Sequence, residues 1–126
     1  MTIEGDEIVL KAKPSLGVSM AVHELTSNAA KYGSLSNARG RLSVAWKVVG
    51  DVGKRALKID WIESNGPPVV EPTRQGFGAK LIERSLVHEL DAKVTRTFKP
   101  SGFRCEIEIP LTTEVGYVGR PGGDKR

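Results

Sequence analysis

His23-Glu24-Leu25-Thr26-Ser27-Asn28-Ala29-Ala30-Lys31-Tyr32-Gly33 is the stretch on which the fold and chemistry of this chain turn. At about 3.6 residues per turn it reads as a helix that places the Glu24 carboxylate, the Asn28 amide and the Lys31 ammonium within one narrow arc. Leu25 and Ala29, with Met20, Ala21 and Val22 upstream, supply an apolar stripe for a core. Polar groups held in register beside such a stripe need something to hold. Amide and carboxylate oxygens are hard ligands suited to Mg²⁺ or its water shell, and an ammonium suits phosphate. The run therefore indicates a nucleotide site.

Outward from this run, Pro14 and Ser15 open the helix and Gly33 stops it. Upstream, residues 7–13 alternate apolar and polar, as a half-buried strand does. Downstream, residues 35–41 form a polar connection. Strands follow at 41–49 and 55–63, joined by a hairpin at Gly50-Asp51-Val52-Gly53. Gly66, Pro67, Pro68 and Pro72 exclude a helix or central strand from 64–75. Phe77, Leu81, Ile82, Leu86 and Leu90 recur at helical spacing, which predicts a second helix over 77–90. Strands at 92–98 and 102–110 complete the pattern, turning at Lys99-Pro100-Ser101-Gly102. Residues 112–126 lack periodicity and are expected to form a disordered tail. Strand, helix, two strands, helix, two strands predicts an α/β two-layer sandwich: a mixed, mostly antiparallel sheet with helices on one face.

Two further motifs carry chemistry. Gly76-Phe77-Gly78 immediately precedes the second helix, where glycines admit a ligand to the backbone and free N–H groups favour anions. On its own such a motif is equally a tight turn, with Phe77 a core anchor. Trp61-Ile62-Glu63-Ser64-Asn65-Gly66 ends a strand, and a carboxylate there can accept a hydrogen bond from an exocyclic amine such as that of adenine. In isolation Glu63 is as readily a solvated turn residue and Trp61 a core aromatic.

The bulk properties set limits. At 126 residues, one domain of 1–111 followed by the tail is expected, large enough to bury a core without staples. No apolar run approaches the roughly 20 residues that span a membrane, and no signal peptide opens the chain. Cys105 is a lone cysteine in an apolar alternation, which makes it a small core residue in a reducing compartment. The net charge of +4 invites an anionic partner, yet Arg120, Lys125 and Arg126 of the tail supply part of it. A basic nucleic-acid module needs exposed aromatics among its cations; only 6% of residues are aromatic, and Trp46, Phe98 and Phe103 lie on predicted strands.

Taken in order, the phrases HELTSNAAKYG, WIESNGPP and PTRQGFGAKLIERSL resemble the ATP-binding catalytic domain of histidine kinases, in the superfamily shared with the gyrase, heat-shock-chaperone and MutL ATPases. The likeness is closer to one branch, the HWE kinases, whose markers here are His23, Trp61 and Glu63, and it covers about residues 5 to 111. The resemblance implies ATP and Mg²⁺ as ligands. Asn28 would coordinate Mg²⁺, Lys31 would contact phosphate oxygens, and Glu24 would take the position of a catalytic carboxylate. Tyr32 would flank the nucleotide, Glu63 would accept the adenine amine, and Gly66 would let the base approach. Gly76 and Gly78 would line the phosphates with Phe77 and Leu81 beside them, under a short lid at 67–75.

The resemblance further implies a protein histidine kinase that is incomplete as it stands. The dimerisation domain with its phosphoacceptor His would lie outside this chain, with a response regulator downstream. Neither nucleic acid nor membrane contact is implied, and the setting is cytoplasmic. His88 sits in no acceptor-like context, so the chain is expected to be the catalytic piece, with Met1 introduced or retained. An ATP-hydrolysing conformational module of the same superfamily, with Glu24 activating water, is the alternative.

Overall fold

The computed structural model describes residues 1–51, 53–69, 80, 83–112 and 115–118. Three nine-residue strands, β3 (Arg41–Val49), β4 (Ala56–Ser64) and β6 (Gly102–Pro110), form its centre. Their alternation sends Leu42 of β3, Leu57, Ile59 and Trp61 of β4, and Cys105, Ile107 and Ile109 of β6 to one buried face. β5 (Lys93–Lys99) pairs antiparallel with β6, and β1 (Thr2–Gly5) pairs parallel with β3. The sheet order is β1-β3-β4-β6-β5, mixed and mostly antiparallel.

One long helix, α1 (Ala12–Tyr32), buries Pro14, Gly17, Ala21, Leu25 and Ala29 in the core that covers this face. These residues recur every three or four positions, and most are small, which lets the helix axis lie close to its neighbours. The opposite face of the sheet is polar. There Arg104 grips Asp60 with two hydrogen bonds, 2.9 Å from Nε to Oδ1 and 2.8 Å from Nη2 to Oδ2. Both residues are partly exposed, so water screens the pair and it adds little to stability.

The predicted sandwich is therefore the observed one, with the unpredicted β1 added at its edge and four further differences of detail. The helix begins at Ala12 rather than Pro14, because Pro14 falls in the first turn, where a backbone N–H has no intrahelical acceptor to lose. The early strand shortens from 7–13 to β2 (Ile8–Leu10), since Lys11 already carries the chain into the helix. β2 pairs antiparallel with β7 (Gly116–Val118), inside the segment expected to be a disordered tail. Val115 anchors that return in the core, the Lys11 N–H donates to its carbonyl at 2.8 Å, and Gly116 admits the Val9 carbonyl where a Cβ would collide. Residues 119–126 lie outside the described residues.

The fourth difference concerns the second helix. Glu83–His88 is a π-helical segment with Leu86 buried, and the Ala92 N–H closes on the Leu86 carbonyl at 2.9 Å. A wider turn of this kind brings an extra residue into each hydrogen-bonded ring. Of the rest of the predicted span, 77–79 and 81–82 lie outside the described residues.

Cys105 is a core residue, as its alternation predicts. Burial pushes its thiol up to about 11, with Arg96 opposing. It is therefore expected to resist a thiol alkylating reagent at pH 8 until the protein is denatured; rapid labelling of the native chain contradicts this packing. Because the folded value lies above the thiol's ordinary 9.0, this group's contribution to stability is intact below pH 9 and is lost as the pH rises towards 11.

Candidate nucleotide site

The site forms where α1 ends against the end of β4. Along α1, Ala21, Leu25 and Ala29 are buried, whereas Asn28, only about 20° from Ala21 around the helix, is exposed. Lys31 and Tyr32 are also exposed, and Glu24 is half-buried. Glu24, Asn28 and Lys31 thus make one polar edge spanning roughly 60°, beside the stripe that meets the core. His23 is exposed, about 100° around the helix from Glu24 and 140° from Asn28, and so lies off this edge.

Glu63 is buried, with 6% of its surface exposed. Its Oε1 accepts a hydrogen bond from the backbone N–H of Ser34 at 3.0 Å, and its Oε2 accepts one from the indole N–H of Trp61 at 2.7 Å. Trp61 and Glu63 are two apart on one strand and so share a face. Ser34 follows directly on the turn that ends α1, where the Gly33 and Leu35 N–H groups both donate to the Ala29 carbonyl at 3.0 Å. The carboxylate thereby ties the end of the helix to the sheet.

Glycines permit this contact. A Cβ on Gly33 would strike Glu63 Oε1, one on Gly40 would strike the Ser34 carbonyl, and one on Gly66 would lie 2.8 Å from Ser34 Cα. Asn65, at φ 58, turns the chain out of β4 in the left-handed region that Asn tolerates. The Ser34 hydroxyl is buried and has no hydrogen-bond partner among the described residues. The turn thus packs closely on Glu63, and the Ser34 hydroxyl leaves polar capacity there that a polar ligand edge could meet.

Of the residues singled out from the sequence, the structure brings Glu63, Trp61 and Gly66 together with the turn that follows Tyr32. Gly76, Phe77, Gly78, Leu81 and most of the 67–75 lid lie outside the described residues. The sequence reading missed Ser34 and Gly40. Their signal is faint, two small residues just beyond the helix stop, and the contact spans 29 positions. Among the described residues no three of His, Cys, Asp and Glu converge as a metal cage. A separate surface depression of about 460 Å³ along the second helix is lined by Lys80, Glu83, Arg84 and His88.

The fold is that of histidine-kinase catalytic domains. It matches the nucleotide-free catalytic domain of the histidine kinase ThkA with a TM-score of 0.67 at 18% identity, over 90% of this chain and 78% of that one. It matches the histidine kinase domain of the Erythrobacter litoralis blue-light-activated histidine kinase at 0.66 and 18%, over 90% of this chain and 56% of that one. Sequence similarity is stronger elsewhere. The chain is 36% identical over 113 residues to the blue-light-activated histidine kinase of Brucella ovis, and 38% identical over 111 residues to that of Brucella anthropi. These matches take in 90% and 88% of this chain but only 23% of each relative's length. No protein-family model matches the chain. By sequence the chain is a relative of histidine kinases, and by fold it has the architecture of their catalytic domains.

Proposed function

We propose that this chain is the ATP-binding catalytic domain of a sensor histidine kinase of the HWE type, acting in the cytoplasm. It binds Mg-ATP and donates the γ-phosphoryl group to a His on a dimerisation domain outside this chain, from which a response regulator receives it. The observation that carries this reading is the buried Glu63 carboxylate held against the end of α1, the same helix whose edge carries the exposed Asn28 and Lys31.

Each residue's part follows from its chemistry. Asn28, and Glu24 through water, would hold Mg²⁺; these are hard oxygen donors, and this ion keeps several waters rather than needing a cage. The bound ion offsets phosphate charge. Lys31 would neutralise phosphate oxygens, and the roles that the family resemblance assigns to Gly76, Phe77, Gly78 and Leu81 around the phosphates belong to the same proposal. Glu63 receives the adenine amine on lone pairs that Ser34 and Trp61 leave free, Gly66 makes room for the base, and Tyr32 flanks it. Phosphoryl transfer asks the protein mainly for such positioning and charge neutralisation.

Labelled ATP titrated into the chain, with and without Mg²⁺, tests binding; supplying a matching dimerisation domain tests transfer. Mg²⁺-dependent binding is expected, followed by acid-labile phosphate on the supplied domain and none on His23 or His88. Release of phosphate to water alone would mark the hydrolysing module instead. Absence of nucleotide binding would overturn the proposal.

A further inference from the structure

Among the described residues, Glu63 is an acceptor with half its capacity in use. An ionised carboxylate accepts about four hydrogen bonds, and here one N–H engages each oxygen. Both donors are rigidly placed. The Ser34 N–H belongs to the turn that ends α1, and the Trp61 indole is buried in the core with 2% of its surface exposed. The carboxylate therefore has little freedom to rotate. Its Oε1 lies against Gly33, and Gly66 packs against the backbone of Gly33 and Ser34, whose buried hydroxyl has no partner among the described residues.

The geometry points to Trp61 as a positioning residue that determines base selectivity: its indole N–H fixes Glu63 so that the pocket accepts a purine with an amino group at C6 and rejects one with an oxo group there. This inference rests on the nucleotide-site reading above. A held carboxylate cannot donate to a 6-oxo group and cannot turn away from it, so two acceptors would face each other. Released at Oε2, the carboxylate rotates or takes up water, and the penalty against the oxo base falls. The indole does this without touching the nucleotide.

The test compares affinities of the 126-residue chain for ATP, inosine triphosphate and the triphosphate of unsubstituted purine riboside, all with Mg²⁺. The variant is Trp61→β-(3-benzothienyl)alanine, which keeps the ring shape and removes the N–H; Trp61→Phe is the second variant. Wild type is expected to favour ATP over inosine triphosphate by about tenfold or more, the worth of a hydrogen bond to a charged acceptor. In the isostere that ratio should approach unity, while the affinity for the purine riboside nucleotide stays unchanged. An unchanged ATP-to-inosine ratio in the folded variant overturns the inference, and so does an equal loss for all three nucleotides, which is the mark of a merely structural indole. Failure of the wild type to bind any of the three is a different result, because it removes the nucleotide site itself.

Discussion

Asn28→Ala is expected to reduce phosphoryl transfer a hundredfold or more, while the folded chain becomes no less stable. Asn28 is exposed in the interior of α1, so its removal opens no cavity. Alanine is the better helix former there by about half a kcal/mol, so a small gain in stability accompanies the loss of activity. On the proposed function, Asn28 would be an oxygen ligand that positions a metal in the transition state; a factor of a hundred corresponds to about 2.7 kcal/mol. A thermal melt and a transfer assay on the same preparation check the two halves together. Transfer within a few-fold of wild type would remove Asn28 from the metal site.

What was legible in the sequence depended on the range of the interaction. β3, β4 and β6 each run nine residues, long enough for alternation to declare both strand and buried face. The stripe of α1 and its stop at Gly33 were legible for the same reason, and so was the polar edge of Glu24, Asn28 and Lys31. β1 was not, because nothing local makes Thr2–Gly5 a strand. Its place is set by Trp46, whose indole lies where a Cβ on Gly5 would be and donates to the Asp6 carbonyl at 2.7 Å, while the Asp6 carboxylate receives the Val48 N–H at 2.9 Å. β7 has three residues, too few for any period to show. At the site the identity of Glu63 was legible but its surroundings were not. A solvated acceptor was one expectation, and the structure instead buries it between Trp61 and Ser34, one partner two residues away and the other 29.

The second large effect separates two glycines of the same segment. Gly17→Ala is expected to stabilise the chain by about half to 1 kcal/mol, since the new methyl group meets Ser85, Leu86 and Leu90 at ordinary contact distances of 3.6–3.8 Å and a helix interior favours Ala. Gly33→Ala is expected to do the opposite. The backbone there has a negative φ of −119, outside the left-handed region that calls for glycine, so the demand tested by this variant is one of space. The added Cβ collides with Glu63 Oε1 and comes within 3.2 Å of Ala29 Cα. Either the carboxylate leaves, stranding the Ser34 and Trp61 N–H groups in a buried place, or the end of α1 lifts from the sheet. Each stranded donor costs about 1–3 kcal/mol, so a loss of roughly 2–6 kcal/mol follows, with nucleotide affinity expected to fall alongside it. Combining Gly33→Ala with Glu63→Ala distinguishes this from a general dislike of a side chain at the helix end. With the carboxylate absent the methyl group has room, so the double variant should be more stable than the sum of the single losses predicts, by 1 kcal/mol or more on the scale of coupled neighbours. Strict additivity in urea melts would show that Gly33 and Glu63 do not meet.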